Sequence, residues 1–288
     1  MAMMRDIKRR IKSIKNIQQI TRAMMLVAAA KMKKAEMSIT SARPYAYGLN
    51  EILSSLALRV EREEDYPLLL KREVKTSGLL MFTSQRGLCG GFNTNLIKNV
   101  FHYLEEERDK SIDIKLMIIG RKGFNFFKRF DYNIPFTLPT PDQVTYKFAE
   151  GLTKRVIDLY ISNEIDEITC VYNEFKSVFR QQVVREKLLP IIPLSPPSSK
   201  IVSEYLYEPS KKEILNTLLE KHIVVQLHRI LLESQAFEHA ARMVAMESAT
   251  TNAKKMINEL WLSFNRARQA SITKEIAEIT GTAEALKG

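Results

Sequence analysis

The residues best suited by type and spacing to chemistry are Ser84, Gln85, Arg86, Gly87, Leu88, Cys89, Gly90 and Gly91, a glycine-rich run between a short apolar segment and a helix-like one. Backbone amides in such a turn can cradle a phosphate at a helix N-terminus. The run lacks a GxxxxGKS/T lysine, GxGxxG spacing and an acidic residue placed for a ribose, so a tight structural turn is favoured. Cys89, near Arg86, is either an activated nucleophile or a buried packing thiol, and the residues leave both open. His102, His222, His228 and His239 form no i, i+4 pair and no HExxH, and read as surface or helix-face residues. Glu105, Glu106 and Glu107 read as a solvated helix end rather than an acid/base pair. Cys89 and Cys170 make no CxxC, which removes zinc clusters and a disulfide framework and favours a reducing compartment. No catalytic constellation, metal or cofactor is expected.

The elements that would carry these residues are marked out by glycine and proline, which cost a helix about 1 and 3 kcal/mol per residue. Neither occurs in residues 1–43 or 210–280. The punctuation predicts a long helix, a compact middle and a second long helix. At ~1.5 Å per residue the two breaker-free stretches would reach roughly 65 and 105 Å.

Both stretches repeat in heptads. Ile7, Ile11, Ile14, Gln18, Thr21, Met25, Ala28, Met32 and Ala35 form one seam. Ile223, Leu227, Ile230, Ser234, Phe237, Ala241, Val244 and Ser248 form the other, continued after a one-residue slip by Ala249, Ala253, Met256, Leu260, Ser263, Ala267 and Ala270. Each seam needs a helical partner, and an antiparallel coiled coil of the two chain ends supplies it.

Between them, Gly78–Ser84, Ile112–Ile119, Glu167–Phe175 and Gln181–Ile191 read as strands, with helices at Phe92–Lys110 and Pro141–Ile161 and a Pro/Ser-rich breaker at Pro193–Ser199. The alternation predicts a mainly parallel, Rossmann-like α/β layer. The predicted fold class is α/β with long helices, divided into an N-terminal coiled-coil helix over 1–60, the α/β domain over 74–200 and a C-terminal coiled-coil helix over 210–286.

Composition narrows the class. The 288 residues are 45% hydrophobic and 27% charged, which excludes a disordered or fibrous chain, and no apolar window is long enough for a transmembrane helix. The net charge of +11 is concentrated at the N-terminus, where Arg5, Lys8, Arg9, Arg10, Lys12, Lys15, Arg22, Lys31, Lys33 and Lys34 face one acidic residue, Asp6. Such a helix calls for nucleic acid, anionic lipid or an acidic protein surface. Stacking aromatics and nucleic-acid motifs are absent from it, and the embedded run Met24–Ala30 (MMLVAAA) suits protein contact better than phosphate.

Arg5–Ala35 and Ala240–Gly281 closely resemble the ends of the gamma subunits of F-type ATP synthases, as do SQRGLCGGFN at Ser84–Asn93 and YLYEP at Tyr205–Pro209. The resemblance covers the whole chain. It implies a non-catalytic rotor shaft turning inside three alpha and three beta subunits, which carry the ATP chemistry, with epsilon and the membrane ring of c subunits at its foot. It implies that Met24, Lys31, Lys33, Lys34, Arg242, Arg268, Gln269 and Thr273 face the alpha/beta ring. By the same resemblance Tyr205, Tyr207 and Glu208 face the c ring and epsilon. Gln85 stands where the family usually has an acidic residue, and Phe264 where it has an aromatic hydroxyl. The dithiol insertion of the chloroplast branch is missing, so thiol control is not expected. No nucleic acid is expected as a partner. With the family pattern starting at Arg5, the resemblance favours a bacterial protein held peripherally on the cytoplasmic side of the inner membrane.

Overall fold

A computed structural model describes residues 2–57, 65–108, 112–177, 180–192 and 210–285. The predicted breaker Pro193–Ser199 lies outside these residues, as do Tyr205, Tyr207 and Glu208. The chain divides into two compact units, one of Met1–Ala29 with Arg242–Gly288 and one of Ala30–Ala241.

The first unit is an antiparallel helix pair. Helix α1 (Ala2–Ala57) contributes its N-terminal part and helix α5 (Lys211–Ala285) its C-terminal part. Ile7 and Ile11 pack with Ile257, flanked by Ile14, Leu260, Phe264 and Ala267, whereas the later Thr21 meets the earlier Thr250, which fixes the opposed directions. The α1 seam is as predicted, with Ile7, Ile11, Thr21 and Ala28 buried and Ile14, Gln18 and Met25 half-buried. The α5 seam is not. Met256, Ser263 and Ala270 are exposed, as are Val244 and Ser248, and the inward positions are Met246, Thr250, Ala253, Ile257, Leu260, Phe264, Ala267 and Ser271. That set keeps the heptad spacing but places the slip before Met246 rather than after Ser248. The larger Ile257 and Phe264 side chains bury more apolar area than the small residues beside them, and they set the register.

The second unit is a five-stranded sheet covered on both faces. Strands β1 (Thr76–Phe82), β2 (Asp113–Ile119), β3 (Thr137–Leu138), β4 (Glu167–Ser177) and β5 (Arg180–Leu189) lie in the order β3-β2-β1-β4-β5, parallel throughout except for the antiparallel β4–β5 hairpin. In β1 the period-two geometry sends Leu79 and Met81 to one face, against Leu96 and Val100 of helix α2 (Phe92–Arg108), and Leu80 and Phe82 to the other. That second face meets Leu152 and Val156 of helix α4 (Tyr146–Ile161) and Leu227 and Ile230 of α5. Burial on both faces explains why the central strands read as continuous apolar runs.

Helix α1 continues through exposed Pro44 to Ala57, near the end of the helix expected over 1–60, because Ala35, Ile39, Leu49 and Leu53 bury one apolar stripe on both sides of the proline and offset its cost. Two local expectations change. The helix expected from Pro141 starts at Tyr146, where the Thr145 hydroxyl accepts the Phe148 amide at 3.2 Å. Helix α3 (Arg121–Phe127) and β3 escaped the sequence reading. The turn into α3 needs Gly120, whose φ is +100° and whose missing side chain would collide with the Thr83 carbonyl at 2.1 Å.

Candidate interface surfaces

The glycine-rich turn is closed upon itself. The Ser84 amide donates to Asn93 Oδ1 at 3.0 Å, the Ser84 hydroxyl donates to the Arg86 carbonyl at 2.6 Å, and Asn93 Nδ2 lies 2.8 Å from Ser84 Oγ and 3.2 Å from Cys89 Sγ. Leu88 and Gly90 take positive φ to make the reversal. Cys89 is buried against Phe92, Phe237 and Ala241, which selects the packing thiol over the nucleophile. Gln85 Oε1 accepts the Arg121 amide at 3.3 Å, an acceptor role that does not need the family's usual acid. The turn is an anchor, as the missing phosphate-binding residues implied.

Histidine and glutamate placement differs from expectation. His239 is buried and His222 and His228 are half-buried, because the helix that carries them is wrapped by the sheet domain. Burial lowers the His228 pKa and lowers that of His222 to about 4, with the Arg229 charge adding to the effect at His222. Glu107 is buried, unlike the solvated Glu105 and Glu106. Among the described residues no group of three His, Cys, Asp or Glu could hold a metal ion.

The helix pair of the first unit leaves apolar stripes uncovered. On α1, Ile17, Ile20 and Val27 are 50, 59 and 57% exposed and Met24 is half-buried. Their steps of three, four and three put all four on one face beside the buried seam. On α5, Leu262, Ile272, Ile276 and Ile279 are exposed, and Gln269 falls on the same stripe, seven residues from Leu262 and Ile276. Arg268 and Thr273 are exposed at its flanks, and the Thr273 hydroxyl is turned back to the Gln269 carbonyl at 3.0 Å. Arg242 is half-buried. Ile17 and Ile20 were missed in the sequence, although their spacing, offset from the seam, repeats that of Met24 and Val27.

In the second unit Lys31 is exposed, Lys33 pairs with Glu36 at 3.1 Å, and Lys34 reaches Gln143 Oε1 at 3.4 Å. The unit also holds a polar knot. Arg229 Nη2 donates to both Glu186 carboxylate oxygens at 2.6 and 2.7 Å, Nη1 donates to the Tyr172 hydroxyl at 3.1 Å and Glu233 at 3.3 Å, and Nε donates to Gln226 at 2.9 Å. The Tyr172 hydroxyl donates to Glu186 at 2.7 Å. Burial works against the guanidinium charge, but Tyr172, Glu186 and Glu233 outweigh it and raise the Arg229 pKa. Burial also raises the Glu233 pKa, against the pull of Arg229.

A family model described as ATP synthase matches residues 3–286. A gamma chain of ATP synthase from Geotalea daltonii is 44% identical over 293 residues, and one from Desulfitobacterium hafniense is 46% identical over 288; each alignment covers 100% of both chains. The chain belongs to the ATP synthase gamma family. Among solved structures, it is similar to a chain in the Euglena gracilis mitochondrial ATP synthase (OSCP/F1/c-ring, rotational state 3), with a TM-score of 0.68 and 19% identity over 99% of this chain and 95% of that one. A chain from the central stalk and c-ring of the Tetrahymena thermophila enzyme gives a TM-score of 0.62 at 24% identity, over 80% of this chain and 99% of that one. These two likenesses concern the fold. Gamma chains are non-catalytic subunits of the synthase, in keeping with a glycine turn that serves only as an anchor. No helix among the described residues is long and apolar enough to cross a membrane.

Proposed function

We infer that this chain is the central rotor shaft of an F-type ATP synthase, coupling proton-driven rotation of a c-subunit ring to ATP synthesis on beta subunits. The observation that carries the reading is the pair of exposed apolar stripes on long antiparallel helices, in a chain similar over its full length to ATP synthase gamma chains. A shaft that turns within a sleeve must be excluded from water yet hold no partner strongly. Apolar side chains do this, since burying them is favourable and non-directional. The partners would be three alpha and three beta subunits around the helix pair, through Met24, Lys31, Lys33, Lys34, Arg242, Arg268, Gln269 and Thr273. Epsilon and the c ring would meet Tyr205, Tyr207 and Glu208. The complex would sit on the bacterial inner membrane, with this chain peripheral on the cytoplasmic side.

The test is affinity isolation of the tagged chain from membranes, followed by hydrolysis and proton-driven synthesis on the assembled complex. Recovery of a membrane-attached ATPase is expected. Gln269→Leu should slow both directions while leaving the chain folded, because Gln269 lies off the buried seam. A charge-assisted or neutral hydrogen bond contributes about 1 to 3 kcal/mol, enough to favour one rotor angle and weak enough to break on each turn. Wild-type rates in both directions at equal subunit content would remove Gln269 from the interface.

A further inference from the structure

Helix α5 buries Leu227, Ile230, Leu231 and Ala236 in the apolar core it shares with the sheet, and beside them the polar Glu233, Ser234, Gln235, Glu238 and His239. Apolar packing opposes separation but has no preferred direction, so it resists twisting of a helix about its own axis weakly. Directional polar bonds resist it. Besides Lys212, which pairs with Asp65 at 2.6 Å near the start of the helix, Arg229 and Gln235 of α5 make such bonds. Arg229 grips the β4–β5 hairpin through Glu186 and Tyr172, and Gln235 Nε2 donates to the carbonyls of Pro141 and Asp142 at 3.2 Å each, in the loop before α4. The same loop is held to α1 by Lys34 and Gln143.

Arg229 and Gln235 are six residues apart, so they sit roughly 9 Å apart along the axis and roughly 120° apart around it. Ties on two sides of a rod form a couple, which blocks both rotation and sliding. Gln235 is 9% exposed and Tyr172 is buried, whereas the Arg229 and Glu186 side chains are 28 and 36% exposed, so water competes little at Gln235 and more at the ion pair.

We propose that Arg229 and Gln235 are the torque grip of the shaft: the positioning residues through which load on the α/β domain passes into α5. The proposal rests on the rotor reading above. The grip has no part in nucleotide chemistry, so its loss shows under load and not in free turnover.

The experiment uses the complete reconstituted complex with Arg229→Gln, Gln235→Leu or both, comparing ATP hydrolysis in leaky vesicles with ATP-driven proton pumping in sealed ones. Hydrolysis should stay within about twofold of wild type, as for substitutions away from the machinery. The ratio of pumping to hydrolysis should fall about tenfold in the double variant, the scale of one lost charge-assisted hydrogen bond. Each single variant should fall less, and Arg229→Lys should recover part of the ratio, since it restores charge without the bidentate fork. A merely structural role would lower hydrolysis and pumping together and leave the ratio unchanged, and that result overturns the proposal. Should the double variant fail to assemble, Gln235→Leu alone decides it, because Leu is close to Gln in volume; a wild-type ratio there overturns the grip. Complexes assembled without this chain serve as the control: pumping by them would sink the rotor reading itself, whatever the variants do.

Discussion

The helix pair and the sheet domain solve the same packing problem by opposite means. In the helix pair, the seam of α1 passes from Ile7 and Ile11 to Thr21 and Ala28, a narrow line of modest side chains with one cross-helix hydroxyl pair, Thr21 and Thr250 at 2.8 Å. Outside that line the surface is uncovered and partly apolar. The sheet domain buries large side chains completely, among them Phe82, Leu79, Met117, Tyr160 and Tyr172, and ties its polar groups into a knot around Arg229. A thin seam suits a rod that must offer its outer surface to other chains. A thick, doubly covered core suits a body that must hold its shape while force is applied to it.

Substitutions can break that comparison, beginning with the thick core. Phe82→Ala should cost about 3–5 kcal/mol, the range for deleting a buried aromatic, and unfold the sheet domain while the helix pair is affected only secondarily. Hydrogen exchange of β1 and β2 amides against those of residues 7–28 measures the difference; equal loss of protection in both would show that the two units are not separate in stability. Ala253→Pro is the counterpart in the rod. It removes a helix hydrogen bond and clashes with the preceding turn at ~3 kcal/mol or more, with no thick core to absorb the defect. Poor assembly or uncoupled hydrolysis is expected, and normal proton-coupled synthesis by this variant would contradict a continuous helix there.

Acid should act on the sheet domain selectively. His222 is held neutral down to about 4 when folded, whereas the unfolded chain takes up its proton near 6.5. The unfolded state therefore binds more protons between these values, and stability falls as pH drops from about 6.5 towards about 4, by at most about 3 kcal/mol. Glu233, with its pKa raised by burial, has the opposite sign as pH rises from its ordinary value of 4.5. His222→Leu isolates the histidine: denaturant unfolding across this range should lose much of its pH slope, and an unchanged slope would assign acid sensitivity elsewhere. The smallest effect belongs to the hydroxyl pair. Thr250→Val should cost about 1 kcal/mol, and the double change with Thr21→Val little more, because removing both partners leaves no new orphaned group. Thermal melts of the two variants distinguish this from an additive loss.

The periodicities of the sequence determined a large part of this protein. The α1 seam was legible residue by residue because a heptad of Ile, Thr, Met and Ala recurs without a breaker. The central strands were legible because both faces are buried and their apolar runs are unbroken. The whole-chain resemblance to gamma subunits rested on motifs that lie on these same elements. On α5 a shifted heptad containing Ala249, Met256 and Ser263 fits the local pattern nearly as well as the true one, and only contact with α1 selected Ile257 and Phe264. Helix α1 passes Pro44 because packing of Ile39, Leu49 and Leu53 outweighs a local penalty that sequence rules must count in full. Arg229 lies far in the chain from Glu186 and Tyr172, as Gln235 does from Pro141 and Asp142, and no spacing rule joins them. Their meeting was decided by the tertiary fold, since a desolvated guanidinium is tolerable only where the sheet brings carboxylate and hydroxyl partners to it.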